Sequence, residues 1–359
     1  MNIGIFGLWG FGRGHVNINK QYTDAFLEDG HQMFIFKLNN NKNTPEFDEY
    51  NDKLHVTQNN TGSLFVPKEI FKNWITDHKL DAIFFNEYNQ WGDDCQNLVR
   101  VANEMNVKTY GILVWEKFDD TNTEQYNEYT RLVPSTKSFY RLMRQYKLRK
   151  KTLIPYSLDL EEYESKVELK DNFTFIHVGG FLGVHNRKNT QAVLEAFQKL
   201  NKVCPDTRLI VTSQVQSDFP ELDNVTYIKK DLPRDELLKL VSSCHASVLP
   251  SKWETIGIPI LESMACGVPV IVTNSPPMNE LVVDTKTGLC VGVQNYKQYS
   301  GITVYGAEVD VEDLYNKMKL ICSNELIYDI MQSRCKKHIA EKYDWDINKK
   351  ILLEMIKNE

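Results

Sequence analysis

The stretch Ala246–Thr273, ASVLPSKWETIGIPILESMACGVPVIVT, decides the fold of this chain. Its opening ASVLP is a short apolar run closed by Pro250, and its closing VPVIVT is a second run rich in β-branched residues. Both read as buried strands. Between them Pro259 suits the first turn of a helix, where a missing N–H is no loss, and Gly267 ends that helix. A strand, a helix and a further strand in so short a stretch form a βαβ unit of a parallel sheet. Two carboxylates frame the turn: Glu254 in the loop after the first strand, and Glu262 in or near the first helical turn. In isolation such a pair is most often two solvated surface acids, and only its surroundings can give it another meaning.

The same pattern runs outward on both sides. Upstream lie strand FTFIHVGG, helix NTQAVLEAFQKL, strands RLIVTS and NVTYIK, and helix PRDELLKLVSSC. Downstream, 310–357 reads as helices only, with EKYDWDINKKILLEMI last. Before this half, the charged stretch SLDLEEYESKVELKDN (157–172) lacks a strand core and reads as a junction. The N-terminal half shows strand NIGIF, a Gly-rich loop and a helix to about Gly30, then strands QMFIFKL, DAIFF, VKTYGILV and TRLVPS with helices between. Strands alternating with helices of ten or more residues indicate parallel sheets. The expected organisation is an α/β domain over 1–158, a linker over 159–171, a second α/β domain over 172–340, and a C-terminal helix over 341–359 returning to the first domain. Two such domains place a ligand cleft at the C-terminal ends of their strands.

Composition narrows the class. A chain of 359 residues suggests two domains, and 42% hydrophobic with 25% charged residues is the make-up of a water-soluble globular protein. The start MNIGIFGLWG has no cationic n-region and reads as a strand rather than a signal peptide; no apolar run approaches a membrane span. Seven cysteines without a CxxC pair argue against a disulfide framework and a structural zinc site, and so for a reducing cytoplasm. A net charge of −6 disfavours nucleic acid as a partner of the whole surface.

Two Gly-rich loops follow strands and open helices. In GFGRGH (Gly10 to His15), backbone amides at the helix start can face an anion, although His15 stands where a dinucleotide fingerprint needs its third glycine. Gly12 and Gly14 allow close approach there, and Arg13 and His15 at the tip favour function over a plain turn. In HVGGFLGVHNRKN, Gly179 and Gly180 precede Arg187 and Lys188 at the start of the next helix. Cations at a helix N-terminus oppose the dipole unless an anion lies there. Amides near Thr255, Ile256 and Gly257 add a third anion-facing feature, and a carboxylate such as Glu262 suits a sugar diol. Two acids beside a diphosphate repel it, and Arg187 with Lys188 provides the compensation.

With those residues in view, PSKWETIGIPILESMACGVPVIVTNSPPMNEL resembles the signature of retaining glycosyltransferases of the GT-B fold, family 4 type. The resemblance extends to HVGG…RKN, LIPYSLDLEEY and LPRDELLKLVSSCHASVLPS, covering about 150–284 well and the N-terminal half in outline. It implies two Rossmann-like domains facing each other across a cleft, and a nucleotide-diphosphate sugar donor held by the second domain through Gly179, Gly180, Arg187, Lys188, Glu254, Thr255, Ile256, Gly257 and Glu262, with Gly12 and Gly14 from the first. Glu262 then holds the ribose, Glu254 sits by the donor sugar, and Arg187, Lys188 and His15 assist catalysis. No metal or cofactor is expected, and no protein nucleophile is required. The carbohydrate or glycoconjugate acceptor falls to the first domain, where Arg13, Asn86 and Glu87 are candidates. Two departures stand out. Phe181 occupies the place of the family's arginine after the double glycine, and FFNEYNQW replaces a segment in which members often carry a histidine.

The run RLMRQYKLRKK (Arg141 to Lys151) packs six basic residues into eleven. A solvated helix face is the default for it, and contact with a membrane headgroup or another anionic acceptor is the functional alternative. Competing readings are a glycoside hydrolase using the two glutamates, a catalytically silent nucleotide-sugar-binding protein, and the same transfer chemistry on a nucleic-acid base.

Overall fold

The computed structural model describes residues 1–10, 14–38, 50, 54–59, 64–88, 93–164, 167–181, 183, 186–216 and 218–359. The chain divides into two compact units, Met1–Tyr156 with Asp346–Glu359, and Ser157–Trp345.

Unit 1 runs β1 (Asn2–Gly7), α1 (Gly14–Glu28), β2 (Gln32–Lys37), β3 (Leu54–Gln58), α2 (Lys68–His78), β4 (Ala82–Asn86), α3 (Asp93–Glu104), β5 (Lys108–Ile112), α4 (Thr123–Tyr126), β6 (Arg131–Leu132) and α5 (Lys137–Gln145). All its strands are parallel, in the order β3-β2-β1-β4-β5-β6. The central strands are buried along almost their whole length, as a sheet covered on both faces requires. Phe6 anchors one face, with Phe36, Phe71, Phe85 and Tyr88 around it at ring-centroid distances of 5.1–5.5 Å. Strand β3 was not among the strands expected from sequence. It is an edge strand with most side chains in water, so it lacks the apolar run that marks β2 and β4.

Unit 2 runs β7 (Thr174–Val178), α6 (Thr190–Asn201), β8 (Arg208–Ser213), β9 (Val225–Lys229), α7 (Arg234–Ser242), β10 (Ala246–Leu249), α8 (Ile258–Ala265), β11 (Val270–Thr273), α9 (Met278–Leu281), β12 (Gly288–Val291), β13 (Val293–Gln298), β14 (Tyr305–Val309), α10 (Val311–Ser323) and α11 (Glu325–Lys342). Its parallel sheet has the order β12-β11-β10-β7-β8-β9, the same topology as unit 1 when read from the other edge. An antiparallel hairpin, β13–β14, stands apart from that sheet. Neither β12 nor the hairpin was expected: β12 is four residues long, and the outer hairpin positions are polar.

The last helix, expected from 341, begins at Trp345. α11 stops at Tyr343 and α12 (Trp345–Lys357) begins after Asp344; at this break the Leu158 N–H donates to the Tyr343 carbonyl and the Trp345 N–H donates to the Leu158 carbonyl. α12 is fastened in unit 1 by Lys349 to Glu28 and Lys357 to Asp29, and the chain end by Glu359 to Arg131. No helix among the described residues is long and apolar enough to cross a membrane.

Candidate active site

In unit 2 the strand order reverses between β7 and β10, and ligands of open parallel sheets bind where such a reversal leaves a crevice. The loops leaving those two strands are 179–189 and 250–257, the two stretches singled out from the sequence.

The first loop folds back on itself. Lys188 and Asn186 both donate backbone N–H bonds to the Gly183 carbonyl, at 2.7 and 3.1 Å. A Cβ on Gly183 would lie 2.7 Å from the Lys188 Cγ, so the missing side chain lets the lysine stem cross the turn. Lys188 thereby enters the interior with only 5% of its side chain exposed. Its ammonium donates to Glu254 at 2.5 Å, Arg187 pairs with the other Glu254 oxygen, and the Ser251 hydroxyl donates to Oε1 at 2.7 Å. Burial alone would push the Glu254 carboxyl up. The Arg187 and Lys188 charges, with the bonds from Lys188 and Ser251, outweigh it and hold the group at about 2. Burial lowers Lys188 below the ordinary lysine range against the opposing pull of Glu254; Glu262 also acts on it, which places both carboxylates within electrostatic reach of one ammonium. The trio carries a net single positive charge, with Lys188 and Glu254 buried and Arg187 half-buried.

Beneath it, His177 of β7 bonds the Val248 carbonyl through Nδ1 (2.7 Å) and the Thr190 hydroxyl through Nε2 (2.9 Å). Burial pushes this imidazole down to about 4. A carbonyl only accepts, so Nδ1 carries the hydrogen and Nε2 of the neutral ring accepts from Thr190. One side chain thus ties β7, β10 and the start of α6. Beside Lys188, Asn189 is in the left-handed region (φ 59°), and its buried side-chain NH2 has no acceptor among the described residues.

Helix α8 opens at Gly257, whose φ of +91° belongs to glycine, and Pro259 lies in the first turn as expected. At this start Pro259 has no N–H to offer, and the Ile260 N–H donates to the Gly257 carbonyl at 2.9 Å. Glu262 is the fifth residue of α8, so it lies in the second turn rather than the first. It accepts from Arg234 at 2.6 Å.

Arg234 was not among the residues expected at the site. It opens α7 directly after Pro233, and a cation at a helix N-terminus is the same signal that drew attention to Arg187 and Lys188. Ser251 and Lys252 were also missed. The Lys252 N–H donates to the Arg187 carbonyl and the Lys252 carbonyl accepts from Ala307 of β14, both at 2.8 Å. Its ammonium reaches Glu308 (3.2 Å), Tyr299 (3.1 Å) and Asn186 (3.3 Å), so the hairpin is clamped to the basic loop through one residue. Hairpin contacts of this kind leave no local sequence pattern.

Among the other expected residues, Gly179 N–H donates to Thr212 and the Gly180 carbonyl accepts from Gln214. Thr255 is half-buried and Ile256 buried. Gly12 and Arg13 lie outside the described residues; Gly14 is the first residue of α1, and His15 follows it there. Asn86 and Glu87 lie at the end of β4 in unit 1, with the Asn86 amide donating to Asn19 at 2.7 Å. Arg141, Arg144, Arg149 and Lys150 are exposed. Among the described residues no group of His, Cys, Asp and Glu side chains is placed to hold a metal ion.

Residues 160–302 match the family model described as glycosyl transferases group 1. The chain is 25% identical over 198 residues, 55% of its length, to sucrose synthase 6 of Oryza sativa subsp. japonica, of which the match takes in 21%. It therefore spans far less than two thirds of that curated relative. Among solved structures, sucrose-phosphate synthase from Thermosynechococcus elongatus is similar at a TM-score of 0.76 and 15% identity, covering 99% of this chain and 98% of that one. Anabaena HepE in complex with UDP and glucose is similar at a TM-score of 0.73 and 13% identity over the whole of both chains. The two parallel six-stranded sheets with their helices are the GT-B glycosyltransferase fold.

Proposed function

We propose that this protein is a retaining, metal-independent glycosyltransferase that moves a sugar from a nucleotide-diphosphate donor to a hydroxyl acceptor. The observation that carries the reading is the buried Lys188–Glu254 pair with half-buried Arg187 on the same carboxylate, at the strand-order reversal of unit 2. A net positive cluster fixed before the substrate arrives stabilises the charge that grows on a departing diphosphate, and it needs no reorganisation to do so. The Asn189 NH2 adds a donor of the same sense. Glu254 faces the donor sugar and Glu262 the ribose diol. For transfer with retention, the acceptor hydroxyl enters from the side of the leaving phosphate, which takes its proton. The matched family model and the similarity to a UDP-complexed structure support the donor class.

A hydrolase using the glutamate pair is disfavoured by the charges. A glycosidase acid must hold its proton near neutral pH, whereas Glu254 is held at about 2. On the acceptor side, Arg13, Asn86 and Glu87 remain the assignment, and the exposed cations of 141–150 suit an anionic acceptor or headgroup.

Thermal unfolding with UDP, GDP and ADP, then with their sugar conjugates, tests the reading, because a ligand that binds the native state raises the midpoint. One nucleotide should stabilise the protein, and EDTA should change neither that shift nor the transfer rate. No shift with any of the three sinks the donor assignment.

A further inference from the structure

Arg234 is joined to three groups at once, and none of them is in the trio. Nη1 donates to Glu262 Oε1 at 2.6 Å, Nη2 to the Tyr163 hydroxyl at 2.6 Å, and Nε to Glu162 at 3.0 Å. The guanidinium carbon lies 5.8 Å from the centre of the Tyr163 ring. Burial works against its charge, yet Glu262, Tyr163 and Glu162 outweigh that and hold it above the ordinary arginine value. Tyr163 and Glu162 belong to the 3-10 turn Leu160–Tyr163 that follows the crossing from unit 1 into unit 2. The guanidinium fork therefore locks a helix start, a helix carboxylate and the connector turn into one arrangement.

The consequence for Glu262 is specific. One carboxylate oxygen is occupied by Arg234, and the other has no partner among the described residues, while the side chain keeps 12% of its surface open. A glutamate on its own rotates among several rotamers. Held by one oxygen against a planar, rigid donor, it presents the second oxygen in a fixed direction. We infer that Arg234 is a positioning residue that aims Glu262 at a vicinal diol, and that through it the site selects ribonucleotides over 2′-deoxyribonucleotides. This rests on the reading of Glu262 as the ribose contact. It adds the group that makes the contact directional and ties it to the connector turn.

The test uses the full chain, with UDP, GDP and ADP, their 2′-deoxy counterparts, and inorganic pyrophosphate as probes, read by thermal shift and titration. Wild-type protein should bind the ribonucleotide about tenfold or more tightly than its deoxy form, the worth of one hydrogen bond to a charged acceptor. In Arg234→Gln that ratio should fall to within about threefold while pyrophosphate, which meets only the cation cluster, binds as before. Glu262→Gln should show the same collapse. Arg234→Lys keeps the charge but cannot grip three partners, so its ratio should also drop at least about threefold. It is the measurement to rely on if Arg234→Gln does not fold. A wild-type protein that binds both sugar forms equally overturns the inference, as does an unchanged ratio in the folded variants. Absence of any nucleotide binding by wild type overturns the donor assignment instead, so the two failures are separate.

Discussion

The two units repeat one topology, and they differ in what they place at the equivalent point. In unit 1 the order reverses between β1 and β4, in unit 2 between β7 and β10. At the first, among the described residues, amides join β4, α1 and the β1 loop beside the buried Glu87: Asn86 donates to Asn19 at 2.7 Å, and Asn19 donates to the Leu8 carbonyl at 2.8 Å. At the second, a buried lysine and a buried glutamate are joined by a half-buried arginine. A fold supplies a location for binding, and the charge set there supplies the chemistry. Amide hydrogen bonds rigidify at little electrostatic cost, whereas a buried lysine–glutamate pair beside a half-buried arginine is expensive to desolvate, a cost that the proposed anionic ligand would offset.

The contrast can be broken first at Lys188. Lys188→Met strands Glu254 with fewer partners, and should cost about 3–5 kcal/mol by urea unfolding and abolish nucleotide stabilisation. Adding Glu254→Gln should restore most of the stability but none of the binding. Unaltered nucleotide binding in either variant would falsify the role of the trio.

Acid comes next. His177 titrates at about 4 in the folded chain against an ordinary value of 6.5, so the unfolded state takes up its proton first. Stability should therefore fall as pH drops from about 6.5 to about 4, by about 3 kcal/mol in all. Glu254, held at about 2 against 4.5, contributes stability that is lost only lower, between those two values. Urea midpoints at pH 7, 5.5 and 4.5 check this, and His177→Asn should flatten the upper part of the decline.

The counterpart in unit 1 should behave differently. Asn86→Ala leaves buried polar groups of the amide network unmatched, and should cost about 1–3 kcal/mol while nucleotide stabilisation persists. Should that variant lose nucleotide binding with its fold intact, the division of labour between the two reversal points is wrong. The smallest effect is expected at Gly257→Ala, about 1–2 kcal/mol for forcing a φ of +91° on an L-residue. Urea unfolding reads it, with pyrophosphate binding, which meets only the cation cluster, unchanged.

Much of this architecture is legible in particular residues. The runs IGIF, AIFF, FIHV, SVL and VIV are apolar without interruption because their strands are buried on both faces, and they emerge as β1, β4, β7, β10 and β11. β3 and the hairpin escape because an exposed strand carries polar side chains that periodicity does not separate from loop. At the candidate site, Arg187, Lys188 and Glu254 were visible as charges beside turns, and the structure brings them into one cluster. Arg234 and Lys252 were printed in the same stretches, but their meaning depends on partners 28 and 56 positions away, Glu262 and Glu308.

The sequence by itself therefore determined the α/β class, the parallel strands, and the loops that carry glycine and charge, because each follows from local periodicity and backbone freedom. Only the tertiary structure decided which carboxylate meets which cation. Glu254 takes two of them and becomes strongly acidic; Glu262 takes Arg234 and, among the described residues, keeps one oxygen without a partner. That choice is made by strand order and loop packing, which bring distant segments within the few ångströms over which charges pair and leave no mark in any short stretch of chain.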